Sequence, residues 1–201
     1  MLRVVEQQVR AQVENQDVSS LADIVTSLDQ DEQIHLGRLI LLLAAFDRGD
    51  EERPAIEGIT KLAKLDFLLR YPTYFEKAMR ARKVSEKKIS IEPYERKTVE
   101  AEMVRYRYGP WDHRYRRFLN LLAAKGLVSI QTTGRTINLA LTDRGRQQAA
   151  RIVGNEAFAP LAQRAKVLRE SIDIGATDIM KFIYHTFPEI GTLSFDQAIV
   201  P

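Results

Sequence analysis

Asp66 is the residue of this sequence whose chemistry needs explaining first. In "ITKLAKLDFLLRYP" (residues 59–72) it falls between Leu62 and Leu69 on the apolar side of a helical repeat. A carboxylate buried without a partner is costly. Arg70, one turn later, is the nearest cation. The spacing therefore predicts a structural ion pair, Asp66 with Arg70. Acid–base catalysis would need a second group, and none stands near Asp66 in the sequence. His35, His113 and His185 are too scattered to spell a metal-ligand pattern, and "DRGDEERP" (47–54) lacks the ligand spacing of a calcium loop. No metal and no cofactor is expected. The phosphate-cradling G-x-x-x-x-G-K-[ST], the nucleophile elbow G-x-S-x-G and the zinc motif H-E-x-x-H are all absent. The expectation is a chain that is not an enzyme.

The other chemistry-bearing residues are basic, and their chemistry is anion binding. Residues 77–117 hold 13 Lys and Arg against 6 Asp and Glu, in a chain whose net charge is only +3. Such a stripe attracts DNA or an acidic protein face, or it is a solvated linker. On a helical wheel of residues 112–125, Tyr115, Phe118, Leu119 and Leu122 form one buried stripe. The opposite side carries His113, Arg117, Asn120, Leu121 and Ala124, with Arg114 and Arg116 on its flanks. Arg114, Arg116, Arg117 and Lys125 are candidate contacts to DNA phosphates, joined by Arg135. Leu121 and Ala124 make a smooth spot that, with Asn120, suits a protein partner.

These residues must be positioned by helices and one hairpin. Helical periodicity is expected at Leu2, Val5, Val9 and Val13, then from about 29 to 47, from 57 to 71, and from 72 to 83 with Pro72 in its first turn. Residues 84–97 read as a linker or edge hairpin, and 98–108 as helix or strand. From 112 the pattern sharpens. Asp112 is an expected N-cap, and Gly126 stops the helix after Lys125. Val128 and Ile130, then Ile137, Leu139 and Leu141, alternate as two half-buried strands around Thr133-Gly134-Arg135. Thr142 or Asp143 caps the next helix. Helix, two-stranded wing, helix is the C-terminal half of a winged helix-turn-helix, with the helices at 57–71 and 72–83 expected to supply the rest. Further helices are expected from Pro160, with Leu161, Ala165, Leu168 and Ile172 on one face, and from Thr177 to Pro188. The tail "SFDQAIVP" carries no pattern. The expected fold is mainly α with a small β-wing: residues 1–55 an N-terminal helical extension, 56–152 the winged-helix domain, 153–201 a C-terminal helical extension.

With no cysteine, disulfides and thiolate metal sites are excluded. The longest apolar run, "LILLLAAF" (39–46), is far below the roughly 20 residues of a membrane span. "MLRVVEQQVR" lacks the apolar core of a secretory signal. A soluble cytoplasmic protein is expected.

Three stretches together resemble a family. "ITKLAKLDFLLRYP", "VRYRYGPWDHRYRRFLNLLAAKGLV" (104–128) and "LALTDRGRQQA" (139–149) are similar to the middle component of bacterial ABC-three-component systems and to the small subunit of Lamassu-type antiphage complexes. The resemblance covers about residues 56–152, and its more specific parts are Lys61-Leu62-Ala63-Lys64-Leu65-Asp66 and Tyr108-Gly109-Pro110-Trp111. It implies a non-catalytic adaptor that sits on an ATPase of the SMC or Rad50 type. Such an adaptor joins the ATPase to an effector subunit, often a nuclease, in defence against phage or plasmids. Contact with double-stranded DNA would be non-specific. A winged-helix transcriptional regulator with a specific operator is the other reading.

Overall fold

Helix α1 (Glu32–Phe46) is buried on nearly every side, as its unbroken apolar centre requires, and the fold is built around it. The computed structural model describes residues 32–49, 54–89, 91, 95 and 102–200. The helix expected at Leu2, Val5, Val9 and Val13 lies outside these residues, as does part of the basic stripe (90, 92–94 and 96–101). The chain is mostly helical with two small antiparallel sheets.

After α1 come β1 (Ile56–Glu57), α2 (Ile59–Arg70) and α3 (Pro72–Ala81). Gly58, at φ +89, makes the turn from strand to helix that a side chain would strain. Tyr71 is extended, as a residue before proline prefers to be, so α2 ends there and Pro72 opens α3. A hairpin follows, β2 (Met103–Tyr106) and β3 (Gly109–Trp111), then α4 (Tyr115–Ala124). Strands β4 (Val128–Thr133) and β5 (Thr136–Leu141) precede α5 (Asp143–Val153), α6 (Ala159–Ser171), α7 (Ala176–Thr186), α8 (Pro188–Thr192) and β6 (Ala198–Ile199).

The first sheet has the order β1-β5-β4. Its hairpin turns through two residues, Gly134 and Arg135, between paired Thr133 and Thr136. Gly134 has φ +60, the positive value that such a tight turn demands at its first central position. The Leu127 amide donates to the Leu122 carbonyl (2.9 Å) across Gly126 at φ +68, which closes the end of α4 and sets where β4 begins. Thr142 caps α5, accepting from the Gly145 amide at 3.0 Å. Gly145 itself has a steric cause: a Cβ there would lie 2.0 Å from the Leu127 carbonyl oxygen.

Several expectations are corrected. The helices that pack on the first sheet are α1, α2, α4 and α5, whereas α3 packs on α2 and α7. The helix expected from residue 57 begins at Ile59, and residues 56–57 pair with β5 instead, Ile56 opposite Leu139. Helix α4 begins at Tyr115, and Asp112 precedes it by three residues, its carboxylate taking the Arg114 amide at 2.9 Å. Helix α7 ends at Thr186, ahead of Pro188 as expected, but it is not the last helix, since Pro188 opens α8. The patternless tail supplies β6, which completes the second sheet, β3-β2-β6, with Ile199 opposite Met103. A single hydrophobic core runs from Leu36 to Ile199 and so passes through all three segments drawn from the sequence.

Candidate functional site

The start of α4 is anchored from behind by a buried ionic network. Asp66, on α2, is fully buried. Its Oδ1 receives Arg38 Nε of α1 at 2.7 Å. Its Oδ2 receives Arg70 Nη2 at 3.0 Å and the Tyr115 hydroxyl at 2.7 Å. Arg70 Nη2 also reaches Asp112 Oδ2 at 3.0 Å, and Asp112 in turn binds the Arg114 guanidinium through Nε (3.0 Å) and Nη2 (2.9 Å). Burial alone would raise the Asp66 carboxyl, but the charges of Arg38 and Arg70 and the hydrogen bonds from Arg38 and Tyr115 outweigh it and hold it well below the usual carboxylate range. Burial, and then the Asp66 charge, push the Tyr115 hydroxyl well above its ordinary value. A general acid at neutral pH needs a raised pKa; Asp66 has the opposite. Its chemistry is to clamp α1, α2 and the start of α4 together. The sequence pointed to Arg70, but Arg38 and Asp112 are 28 and 46 positions away from Asp66 and carry no local signal.

The predicted surface residues are treated unequally. Arg114 spends two donors on Asp112 and lies 5.3 Å above the Phe118 ring, so it belongs to the network more than to the surface. Arg117 is exposed but paired with Glu32 of α1 at 2.8 Å. Arg116, Lys125 and Arg135 are exposed, with no carboxylate within 4 Å among the described residues. Asn120 and Ala124 are exposed. Leu121 is not a free outer leucine: it is half-buried and packs against the core, which removes it from the expected smooth spot. Within the described part of the stripe, Arg80 is paired with Glu76 and Glu86, and Lys88 with Glu170.

Two cation-bearing cavities open near the two ends of α4. At its C-terminal end, Lys125, Arg144 and Arg151 line a cavity of about 610 Å³ together with Gln33, Gln147 and Gln148. Arg144 and Arg151 were not expected. Their signal was present, since 144, 148 and 151 follow i, i+4, i+7 spacing on one helix face. Beside it an apolar groove of about 350 Å³ runs between α1, α4 and α5, past Ile40, Leu122, Ile152 and Phe158.

The second cavity, about 370 Å³, lies under the β2–β3 hairpin. Thr60 and Lys64 of α2 form one wall; Tyr106, Tyr108 and Trp111 of the hairpin another; His113 and Arg116 complete it. The two more specific stretches of the family resemblance thus meet here. Gly109, at φ +117, lays bare backbone over the Lys64 stem. Lys64 is 2% exposed, and its Nζ donates to the Thr60 carbonyl at 3.0 Å. Burial lowers its pKa to about 8. The Tyr106 and Trp111 rings are near-parallel (25°) with centroids 5.8 Å apart.

No family model, no curated protein and no solved structure matches the chain. Among the described residues no group of three or more His, Asp or Glu is arranged to hold a metal ion, and no helix is long and apolar enough to cross a membrane. His35 is buried and stacked on Phe118 at 5.3 Å, His113 stands 3.4 Å from Asp196, and His185 is exposed.

Proposed function

We propose that the chain is a non-catalytic winged-helix adaptor. It binds an SMC- or Rad50-like ATPase in the cytoplasm, links it to an effector subunit such as a nuclease in antiphage or anti-plasmid defence, and touches double-stranded DNA only through phosphates. The order helix, strand, helix, helix, hairpin over α1, β1, α2, α4, β4 and β5 fits a winged helix-turn-helix with α3, β2 and β3 inserted before α4. The observation that carries the DNA contact is the trio Lys125, Arg144 and Arg151, three cations in one cavity with no carboxylate in its lining among the described residues. Arg135 at the wing tip extends the positive surface. Such charges neutralise phosphates wherever they meet them, without reading bases. The apolar groove beside Lys125 offers a surface for a protein partner.

The test has two parts. Expressed with the ATPase encoded beside it, the chain should co-purify as a stable complex; a chain that stays alone with that partner present overturns the adaptor. Duplex binding should weaken with salt and ignore sequence, and Arg151→Ala or Arg135→Ala should lower the salt slope by about 1 for every duplex alike. The transcriptional regulator draws on exposed Arg116 and Asn120, two groove-reading residue types on α4. It predicts instead a preference of roughly 10³-fold or more for one sequence.

A further inference from the structure

We propose that the cavity beneath the β2–β3 hairpin is a nucleotide site, in which a base lies against Tyr108 and Trp111 while its phosphate sits between Lys64 and Arg116. This goes beyond the adaptor reading and does not depend on it, because its probes are free nucleotides and no partner protein is needed.

Charge is the first ground. Lys64 is 2% exposed, and among the described residues its one polar partner is the neutral Thr60 carbonyl. Among the described residues no carboxylate lies within 4 Å of it. An ammonium withdrawn from water without a counter-charge is unfavourable, and an anion in the cavity offsets that cost. Arg116 supplies a second cation on the same cavity with all five donors uncommitted among the described residues, and a guanidinium fork suits phosphate oxygens. Of the acids beside the lining, Asp112 is bonded to Arg70 and Arg114, and Asp196 stands 3.4 Å from His113; neither is paired with Lys64 or Arg116.

The rings are the second ground. Tyr106 and Trp111 pack on each other, on Phe195 and on Tyr115, and so present held ring surfaces to the cavity beside exposed Tyr108, a feature that an inorganic anion would not use. Tyr108 stands 53% exposed at the hairpin turn, with the Arg107 guanidinium 6.0 Å from its ring centre. Trp111 is fixed from behind, edge-on to buried Tyr115 at 5.4 Å, and near-parallel to Tyr106. Flat, held rings beside cations are the arrangement on which unpaired bases stack. A cavity of about 370 Å³ is of small-ligand size. The nucleotide can be a free monophosphate or an unpaired residue at a strand end; both present one base and one phosphate.

Trp111 is the chain's only tryptophan, so its fluorescence reports this cavity alone. The full chain is titrated with deoxynucleoside monophosphates, the matching nucleosides, inorganic phosphate, a duplex with a one-base overhang and the blunt duplex, with calorimetry alongside. Saturable quenching by monophosphate or overhang, at least about tenfold tighter than by nucleoside or phosphate alone, is the expected result. Tighter binding of the overhang assigns the site to strand ends, and tighter binding of the monophosphate assigns it to the free nucleotide. Lys64→Met and the surface change Arg116→Ala should each weaken binding by about tenfold, while Lys166→Ala, a change at an exposed lysine of α6, should leave it unchanged. Equal response to inorganic phosphate, a blunt duplex that matches the overhang, or undiminished binding by both Lys64→Met and Arg116→Ala overturns the proposal.

Discussion

Lys64 and Asp66 stand two positions apart on α2, both with 2% or less of their surface exposed, and their surroundings treat them in opposite ways. Asp66 meets two guanidiniums and a tyrosine hydroxyl. Lys64 meets one neutral carbonyl. The first is a finished ionic structure whose energy is already spent on holding α1, α2 and α4 in place. The second is an unfinished one, a charge brought indoors that meets no counter-charge among the described residues. Removing a charge should therefore damage the fold at one site and relieve it at the other.

The largest effect is expected from Asp66→Asn. The amide keeps the shape but leaves Arg38 buried without its carboxylate and Arg70 with Asp112 alone, a loss of about 3–5 kcal/mol in urea unfolding. The acid limb follows the same residue. Its folded pKa lies below the unfolded value, so its contribution is complete above the ordinary carboxylate range and is lost as pH falls below about 4. Asp66→Asn should flatten that limb. A variant that unfolds within about 1 kcal/mol of the parent would mean that the network is decorative and the contrast with Lys64 empty.

The two sites also differ in how far the sequence discloses them. Asp66 was legible because an acid on an apolar helix face must be answered, and Arg70 answers from one turn away. The helix–hairpin–helix was legible through Gly126, Gly134 and the alternation of Val128, Ile130, Ile137, Leu139 and Leu141. Arg38 was hidden because the pairing is made by packing of α1 on α2, and residues 56–57 and 198–199 because two residues carry no period. Lys64 reads as an ordinary helical lysine until Gly109 is laid over its stem. Leu121 failed for the same reason in reverse. A wheel ranks faces of one helix, while the neighbouring elements decide which of them meets water.

Lys64→Met should act in the opposite sense to Asp66→Asn. Methionine keeps the unbranched stem and drops the charge, so the unliganded protein should gain about 1–3 kcal/mol. Among the described residues the groups facing Lys64 are Thr60 on its own helix, Tyr106 and Tyr108 from the hairpin, and His113 and Arg116 before and within α4; none of these is a carboxylate. Its pKa is lowered from 10.5 in the unfolded chain to about 8 in the fold. Between these values the unfolded chain holds the extra proton, so parent stability should rise with pH across the window, and the full penalty applies below it. The gain from Lys64→Met should accordingly shrink as pH climbs from 8 to 10. A loss of stability at pH 7 would show that the ammonium is already compensated and would close the contrast.

The smallest effect is expected where charge is paired in full view of water. Arg117 meets Glu32 at 2.8 Å, closer than any ion pair of the buried network except Arg38 with Asp66, yet its side chain is 72% exposed. Solvent screens that pair and the free partners are well hydrated, so Arg117→Ala should cost no more than about 0.2–1 kcal/mol. The cost should fall further in 1 M salt, where the screening length is only about 3 Å. Urea unfolding at low and high salt measures both. If Arg117→Ala rivalled Asp66→Asn, separation rather than burial would govern ionic strength in this fold, and Lys64 would lose the reason given for its need of an anion.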